Sequence, residues 1–330
     1  MNIQSLFKEF ENIRVAVIGD VMLDTYWWGN VSRISPEAPV PIVALQKNEL
    51  RLGGAANVAL NLVALNASTT LISVIGNDTE ADKLLHIVKE KGIDSKYIIK
   101  AENRITTNKT RVISRNQQML RLDAEIATDI DSLIEVQLQK NIQAYIENEK
   151  PHVIIFQDYN KGVLTKNIIE STIELCTKNN IITTVDPKRK NFFTYKNVDI
   201  FKPNLIEVNE GLNMMIDEVD LEILQNVHQQ LHQKLSNKIS FITLSEKGVF
   251  YQEKNNSKII PTHIRTIADV SGAGDTVIAV ASLVYAITKD IHMASEVANI
   301  AGGLVCEEVG TAAINKTKLK NECDRLMINY

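Results

Sequence analysis

Short aliphatic runs recur along the chain, and most of them are separated by segments with helical periodicity. The runs that predict buried strands are residues 15–18, 71–75, 153–156, 181–185 and 239–244. The periodic segments that predict helices include residues 55–65, 79–91 (with Asp78 as N-cap) and 166–178. Strands that alternate with helices indicate an α/β fold, with a mostly parallel central sheet and helices on both faces. Such sheets bind ligands at the carboxyl ends of their strands.

Two segments break this alternation and predict additional strands instead. Residues 25–46 contain Trp27, Trp28 and several prolines, and residues 104–123 alternate between polar and apolar side chains. We expect these segments to pair as a small β lid over the ligand cleft and to form a homodimer contact. Two separate surface hairpins are the alternative. Because no linker is visible, we expect residues 1–330 to form one domain with this lid.

Composition and charge narrow the class of protein without defining its chemistry. The chain has 330 residues and a net charge of −4, which gives no electrostatic reason to expect binding to nucleic acid or to an anionic membrane. Its 3 cysteines lie far apart, which argues against disulfides and against a zinc site. The longest apolar run, residues 277–287, is too short to span a bilayer, and residues 1–12 contain no signal-peptide core. We therefore expect a soluble cytoplasmic protein.

The most informative segment is residues 269–276, Asp-Val-Ser-Gly-Ala-Gly-Asp-Thr, which leads directly into the apolar run. We predict a helix there, with Gly272, Ala273 and Gly274 at its N-terminus. Free N–H groups and the positive end of the helix dipole make such a terminus an anion site. Asp275 then has two interpretations: a general base beside a phosphoryl group, or a first-turn residue that complements the helix dipole. The segment alone does not separate them.

Other candidate residues follow predicted strands or precede a predicted helix. Asp24 comes after the first strand and could accept hydrogen bonds from sugar hydroxyls, although a turn residue is the alternative. Gly53, Gly54 and Asn57 lead into a helix and could let a ligand approach the backbone. Lys161 follows the strand at 153–156 and could bind a phosphate, although a solvated loop lysine is the default.

Two further segments predict a nucleotide site. Asn204 and Glu207 stand three residues apart at the start of a predicted helix, where they could hold hydrated Mg²⁺; a capping box is the competing explanation. Ser245, Glu246 and Gly248 follow a strand and could contact a nucleotide phosphate, or could form a hairpin turn. The chain has no P-loop and no Gly-x-Gly-x-x-Gly motif after the first strand, which argues against a dinucleotide oxidoreductase.

In order and spacing, these motifs resemble those of the ribokinase-like (PfkB-type) carbohydrate kinases over nearly the whole chain. Residues 53–57 and 269–275 carry this resemblance. Segments 32–41, 111–118 and 158–162 are in turn similar to the kinases that act on heptose 7-phosphate in ADP-heptose synthesis. In many bacteria that kinase is fused to a C-terminal nucleotidyltransferase domain. This chain ends at Tyr330 without one, so we expect only the kinase step.

The resemblance implies ATP-dependent phosphorylation of the anomeric hydroxyl of D-glycero-D-manno-heptose 7-phosphate to the 1,7-bisphosphate, in lipopolysaccharide core synthesis. It implies Asp275 as the catalytic base and residues 272–274 as the anion hole. It implies ATP and Mg²⁺ as cofactors and admits a monovalent cation such as K⁺. The residues implied for ATP are Asn204, Glu207, Ser245, Glu246, Gly248 and Asn299, with Asn204 and Glu207 holding Mg²⁺ through water. Those implied for the sugar phosphate are Asp24, Arg33, Gly53, Gly54, Asn57 and Lys161.

Two alternatives stay open. The first is a kinase of the same fold that acts on another sugar, on another sugar phosphate or on a nucleoside. The second is a catalytically inactive sensor of sugars or nucleotides on a kinase scaffold. The presence of Asp275, Glu207 and both glycines of the late motif counts against a sensor, which has no need of them.

Overall fold

A computed structural model describes residues 2–115, 117–263 and 265–327 of the chain. Its strands are β1 (Arg14–Gly19), β2 (Val21–Ile34), β3 (Pro41–Gly54), β4 (Ser68–Gly76), β5 (Asp94–Ala101), β6 (Asn108–Ser114), β7 (Gln117–Ala124), β8 (Val153–Gln157), β9 (Ile182–Asp186), β10 (Ile200–Phe201), β11 (Ile239–Thr243), β12 (Val249–Glu253) and β13 (Asn256–Ile260). Its helices are α1 (Ile3–Glu9), α2 (Ala55–Ala64), α3 (Thr79–Glu90), α4 (Ser132–Glu149), α5 (Lys166–Lys178), α6 (Leu205–Leu212), α7 (Leu221–Leu235), α8 (Ala273–Thr288), α9 (Ile291–Val305) and α10 (Lys316–Leu326). None of these helices, in the part of the chain described, is long and apolar enough to cross a membrane.

The main sheet runs in the order β13-β12-β11-β10-β9-β8-β1-β4-β5. Neighbouring strands from β5 to β11 are parallel, and β12 and β13 add an antiparallel edge. The predicted α/β fold is confirmed, and each strand and helix predicted from the pattern overlaps an observed one. Because the strands are parallel, the carboxyl ends of β1, β8, β9, β10 and β11 all lie along one edge of the sheet.

Two apolar cores cover the two faces of this sheet. Val15 and Val17 of β1 belong to the core formed with α2, α8 and α9. Ala16 and Ile18, which alternate with them, belong to the core formed with α4, α5 and α7. Burial on both faces explains why the strands read as continuous aliphatic runs rather than as alternating ones. The resulting scaffold holds the loops at the carboxyl edge on a rigid base.

The second sheet has the order β3-β2-β6-β7 and forms the predicted lid. β2 pairs with β3 in antiparallel and with β6 in parallel orientation, so the two segments share one sheet. The prediction of a β lid is therefore confirmed, and the alternative of two separate hairpins is wrong. Residues 104–123 contain two strands rather than one, and β6 and β7 are antiparallel to each other. Asn116, which separates them, lies outside the described residues.

The lid is anchored at one end only. The first six residues of β2 are buried, whereas most of its later residues are exposed. All eight residues of β7 are exposed. The lid therefore starts inside the molecule, beside the carboxyl edge of the main sheet, and extends away from it.

Candidate active site

The helix predicted after the glycine-rich segment is α8, and its N-terminus carries the centre of the site. Gly272 is the N-cap, with a φ of 80°, a left-handed conformation that favours glycine. A Cβ atom at this position would lie 2.7 Å from Nδ2 of Asn57. The glycine therefore permits both the turn into α8 and the close approach of α2. As predicted, residues 272–274 open a helix whose first N–H groups have no intrahelical acceptor.

Asp275 stands in the first turn of α8 and is 3% exposed. Its Oδ2 accepts a hydrogen bond from Asn57 Nδ2 (2.8 Å), and its Oδ1 accepts from Gln157 Nε2 (3.0 Å) and from the Tyr159 hydroxyl (2.8 Å). These donors come from α2, from β8 and from the loop after β8. A residue that only complemented the helix dipole would need none of them, so the geometry favours a functional carboxylate.

The environment of Asp275 makes this carboxylate unusually basic. Burial raises the pKa of Asp275 to about 6, while the hydrogen bonds from Asn57 and Tyr159 act in the opposite direction. The nearby carboxylate of Asp186 adds to the increase, and the Lys202 ammonium opposes it. A carboxylate with a pKa near 6 is mostly ionised at neutral pH and still accepts a proton readily.

Charged pairs from the neighbouring strands border this centre. Asp186, at the end of β9, forms an ion pair with Lys202, which follows β10, at 3.0 Å, and also accepts a hydrogen bond from Gln157 Nε2 (3.2 Å). A Cβ atom on Gly274 would lie 3.8 Å from the Asp186 carboxylate and 3.9 Å from Lys202 Nζ. The space in front of the α8 N-terminus is thus bordered by one buried cation and one buried anion.

Asp269 fixes the loop that enters α8. Its Oδ1 accepts from the N–H (2.9 Å) and hydroxyl (2.8 Å) of Ser271, and its Oδ2 accepts from the N–H of Gly310 (2.9 Å). Burial would raise the pKa of Asp269, but these hydrogen bonds outweigh it and the pKa is lowered. Asp269 is therefore a structural anchor for the glycine-rich segment.

Asp24 lies in the buried part of β2, at the base of the lid. It forms an ion pair with Arg111 of the adjacent strand β6. A Cβ atom on Gly53, in the adjacent strand β3, would lie 2.5 Å from Asp24 Oδ2. Gly54, with a φ of 59°, would bring a Cβ atom to 2.4 Å from the Asp20 carbonyl oxygen. Gly53 thus makes room for the Asp24 carboxylate, and Gly54 makes room for the backbone of Asp20.

Asn204 and Glu207 form the capping box of α6, as the competing explanation predicted. Asn204 Oδ1 accepts from the Glu207 N–H, and Glu207 Oε2 accepts from the Asn204 N–H, both at 2.8 Å. The second oxygen of Glu207 accepts from Lys188 Nζ in an ion pair. Burial and the nearby Asp186 raise the pKa of Glu207, whereas Lys188 opposes this. Among the described residues, no group of three or more His, Cys, Asp or Glu side chains could hold a metal by itself.

The segment Ser245–Gly248 connects β11 to β12 in a hairpin, as one of its two interpretations predicted. Ser245, Glu246 and Lys247 form an exposed single turn, which Leu244 closes through a bond from its N–H to the Gly248 carbonyl (2.8 Å). The segment lies next to the α6 start, because Asn204 bridges to Thr243 of β11. Asn299 of α9 donates to the Pro261 carbonyl (2.9 Å), beyond the end of β13.

The two cations predicted for the substrate phosphate lie in different places. Lys161 is in the loop after β8, where its backbone N–H donates to Asp20 (3.0 Å) and its Nζ pairs with Glu125 (2.7 Å). Arg33 is exposed, near the far end of β2, opposite Ile42 of β3. Lys161 thus lies in the same loop as Tyr159, whereas Arg33 lies near the far end of β2.

The fold adds to this site several residues to which the sequence assigned no individual role. They are Lys109, Arg111, Gln157, Tyr159, Asp186, Lys188 and Lys202. Gln157 and Asp186 are the last residues of β8 and β9, and Lys202 directly follows β10. A polar residue at the end of an aliphatic run, at the carboxyl edge of a parallel sheet, is the signal that could have identified these three.

Comparison with known proteins agrees with this arrangement. Residues 12–318 match the family of pfkB family carbohydrate kinases. The protein named bifunctional protein HldE of Methylobacillus flagellatus is 39% identical over 93% of this chain, and the protein of the same name from Helicobacter pylori is 36% identical over 91%. The chain spans 62% and 64% of the lengths of these two relatives.

Two solved structures have the same fold at low sequence identity. Phosphofructokinase-2 from Escherichia coli, in complex with potassium, aligns with a TM-score of 0.80 at 15% identity and covers 96% of this chain and 99% of its own. The ribokinase of Arabidopsis thaliana, with ribose and ATP, aligns with a TM-score of 0.72 at 16% identity and covers 93% and 98%. With the family match over residues 12–318 and the glycine-rich helix start that carries Asp275, the chain belongs to the pfkB family of carbohydrate kinases.

Proposed function

We propose that this kinase transfers the γ-phosphoryl group of ATP to the anomeric hydroxyl of D-glycero-D-manno-heptose 7-phosphate and forms the 1,7-bisphosphate. The observation that carries the proposal is Asp275, held by three donors at the glycine-rich start of α8. Support for the heptose substrate comes from segments 32–41, 111–118 and 158–162, and from the relatives named HldE. The product would serve ADP-heptose synthesis for the lipopolysaccharide core.

In the proposed reaction the proton of the anomeric hydroxyl passes to the Asp275 carboxylate. The sugar oxygen forms a bond to the γ-phosphorus, and the bond from that phosphorus to the oxygen bridging to ADP breaks. The backbone N–H groups of Gly272, Ala273 and Gly274 would stabilise charge on the group in transfer. Such transfer depends mainly on positioning and on charge neutralisation, which suits a site built from fixed backbone donors.

The nucleotide would bind along the segments after β10 and β11. We assign to it the residues Asn204, Glu207, Ser245, Glu246, Gly248 and Asn299. Support comes from their common location at the carboxyl edge of the sheet, where Asn204 bridges to Thr243.

The family implies a divalent metal along with ATP. Both carboxylate oxygens of Glu207 already have protein partners, which fits Mg²⁺ held through water by Glu207 and Asn204 better than direct ligation. When bound, Mg²⁺ would neutralise charge on the nucleotide phosphates. We also propose activation by a monovalent cation such as K⁺, since the structure of phosphofructokinase-2 cited above is a complex with potassium.

The sugar would lie between Asp275 and the base of the lid. We assign its hydroxyl contacts to Asp24, Gly53, Gly54 and Asn57, and its 7-phosphate to Lys161, with Arg33 as a more distant candidate. Asp24 is buried and Asn57 already contacts the base, which supports a sugar held between them. Lys161 lies in the same loop as Tyr159, and Asp20 Oδ2 accepts from the backbone N–H of both residues.

We further propose a homodimer that forms through the lid. β7 is an edge strand that is exposed along its whole length, including Leu120 (53% exposed) and Leu122 (47%). Apolar side chains on an unpaired edge strand are the features that a second copy would cover. Light scattering of the purified protein and of a Leu120→Lys variant tests whether this dimer forms. Location in the cytoplasm stays a prediction.

The test of function is ADP release from Mg-ATP with a panel of sugars and sugar phosphates. We expect turnover with D-glycero-D-manno-heptose 7-phosphate to exceed that with every other acceptor. Higher turnover with another sugar or with a nucleoside would replace the substrate but keep the kinase. No release with any acceptor would favour the alternative of a sensor without catalytic activity.

A further inference from the structure

The cations near Asp275 and the base of the lid differ in whether a carboxylate or carbonyl oxygen already binds them. Arg111 pairs with Asp24, Lys161 with Glu125, Lys188 with Glu207, and Lys202 with Asp186. Arg104 donates to the carbonyl oxygens of Thr128 and Lys161. Partners of this kind satisfy a cation and leave it less available to a ligand.

Lys109 of β6 is the exception. Within the described parts of the chain, no carboxylate lies within ion-pair distance of its Nζ, and its side chain is half-buried. This ammonium group lies over the face of the Tyr159 ring, 5.4 Å from the ring centroid. Burial lowers the pKa of the Lys109 ammonium group, although the carboxylates of Asp24, Glu125 and Asp123 attract it from beyond ion-pair distance. A half-buried ammonium group without a close anion is costly, and proteins keep such groups mainly where a ligand comes close enough to balance the charge.

Tyr159 contacts both Lys109 and Asp275, the proposed base. Its hydroxyl donates to Asp275 Oδ1 at 2.8 Å, while Lys109 lies over the face of the same ring. The Tyr159 backbone N–H is fixed by Asp20 Oδ2 at 2.8 Å, so the ring has a defined position between the two. A sugar whose acceptor hydroxyl lies on Asp275 would pass along this ring and present its other end to Lys109.

We propose that Lys109 binds the phosphate at the end of the sugar remote from the acceptor hydroxyl and thereby selects anionic sugars as substrates. This inference rests on the proposed function, and it names the residue behind its substrate class. Lys161 then acts as a secondary contact, because Glu125 already neutralises it. A phosphate at Lys109 would replace the solvation that burial removed and would form a charge-assisted contact.

The experiment compares steady-state kinetics for a sugar phosphate and for the same sugar without its phosphate. Lys109→Met should raise KM for the phosphorylated sugar by roughly 10- to 100-fold, as expected for a lost contact to a charged group, and change KM for the neutral sugar less than about threefold. Lys109→Arg should recover part of the loss. Lys96→Met is the matched control, since Lys96 lies 5.2 Å over the Tyr97 ring, and should behave as wild type.

Several outcomes would overturn the proposal. They are equal effects of Lys109→Met on both sugars, a wild-type enzyme that prefers neutral sugars, or selectivity lost in Lys161→Met but kept in Lys109→Met. If the wild type turns over no sugar, the proposed function fails and a binding measurement decides about Lys109. Inorganic phosphate should then raise the melting temperature of Lys109→Met less than that of the wild type and of Lys96→Met, because the N-terminus of α8 still offers a second anion site, and equal protection of all three would refute the site at Lys109.

Discussion

Replacement of Asp275 by asparagine separates the role of its charge from the role of its shape. Asn keeps the size of the side chain and one acceptor oxygen, but it cannot take a proton from an alcohol. Loss of a general base typically lowers the rate by about 10²–10⁴-fold. We therefore expect kcat to fall at least about a hundredfold while the dissociation constants of ATP and sugar stay within a few-fold. Near-normal turnover would exclude Asp275 as the base.

The same substitution should not destabilise the protein. Burial moves the pKa of Asp275 from 3.8 to about 6. At about 1.4 kcal/mol per pH unit, this corresponds to roughly 3 kcal/mol against the ionised form in the folded state. Asn avoids this cost but turns one acceptor oxygen into a donor that faces the donors around it, at roughly 1–2 kcal/mol. At pH 8 we expect the free energy of unfolding of Asp275→Asn to equal that of the wild type or to exceed it by up to about 2 kcal/mol.

The advantage of the variant should depend on pH with a defined sign. The folded wild type takes up a proton as the pH falls through about 6, whereas the unfolded chain does so only near 3.8. The cost of the buried charge is therefore complete above pH 6, falls by roughly half at pH 5, and vanishes below the unfolded pKa. Urea denaturation of both proteins at pH 8 and pH 5 measures this. A variant less stable than the wild type at pH 8 by more than about 1 kcal/mol would refute the electrostatic reasoning.

Two other substitutions test the surroundings of Asp275. Tyr159→Phe removes a hydrogen bond that lowers the pKa of Asp275, so the acid limb of the kcat profile against pH, expected near pH 6, should move to higher pH. The control is Tyr195→Phe, which removes a hydroxyl bonded to Asp158 instead of Asp275 and should leave the limb in place. A limb that neither substitution moves would contradict the assignment of this limb to Asp275. Gly54→Ala should lower the free energy of unfolding in urea by at least about 2 kcal/mol, because φ is 59° and the Cβ atom would lie 2.4 Å from a backbone oxygen. Gly92→Ala, where φ is 74° and no atom lies near the added Cβ, should cost about 1 kcal/mol. Equal losses in the two variants would contradict the steric argument.

The main sheet could be predicted from sequence because its strands are buried on both faces. Runs such as residues 153–156 are apolar without interruption, and that pattern is local. The pairing within the lid is not local. β2 and β6 are parallel neighbours although Asp24 and Lys109, which lie opposite each other in the backbone register, are far apart in sequence, and no short-range pattern specifies that orientation. The sequence thus predicted which segments form the lid but not the orientation of its strands.

The candidate site likewise contains residues that a local sequence pattern indicates and residues that only the fold brings together. Asp275 and Asn57 stand in glycine-rich segments, whose composition points to a special backbone and a ligand. Gln157 and Lys202 are single polar residues after ordinary strands. Their importance arises only when the sheet brings them beside Asp275 and Asp186, which come from distant parts of the chain. For Asn204, the capping box that the sequence offered as the alternative to a magnesium site is present, and the sequence could indicate it because that interaction spans only three residues.

The structure also resolves why a carboxylate can stand beside a site for anions. A direct ion pair with a lysine would lower the pKa of Asp275 and leave a weak base, whereas burial without donors would keep it protonated and inactive at neutral pH. Here the nearby cations Lys202 and Lys188 are engaged with Asp186 and Glu207, and the donors to Asp275 are neutral. Burial and neutral donors balance near pH 6, so the Asp275 carboxylate is ionised at neutral pH yet retains affinity for a proton, as the proposed role of general base requires. The Ala273 N–H donates to the Val270 carbonyl (3.3 Å), and the N–H groups of Gly272 and Gly274 stay available to a phosphoryl group, because side chains from other elements hold the carboxylate.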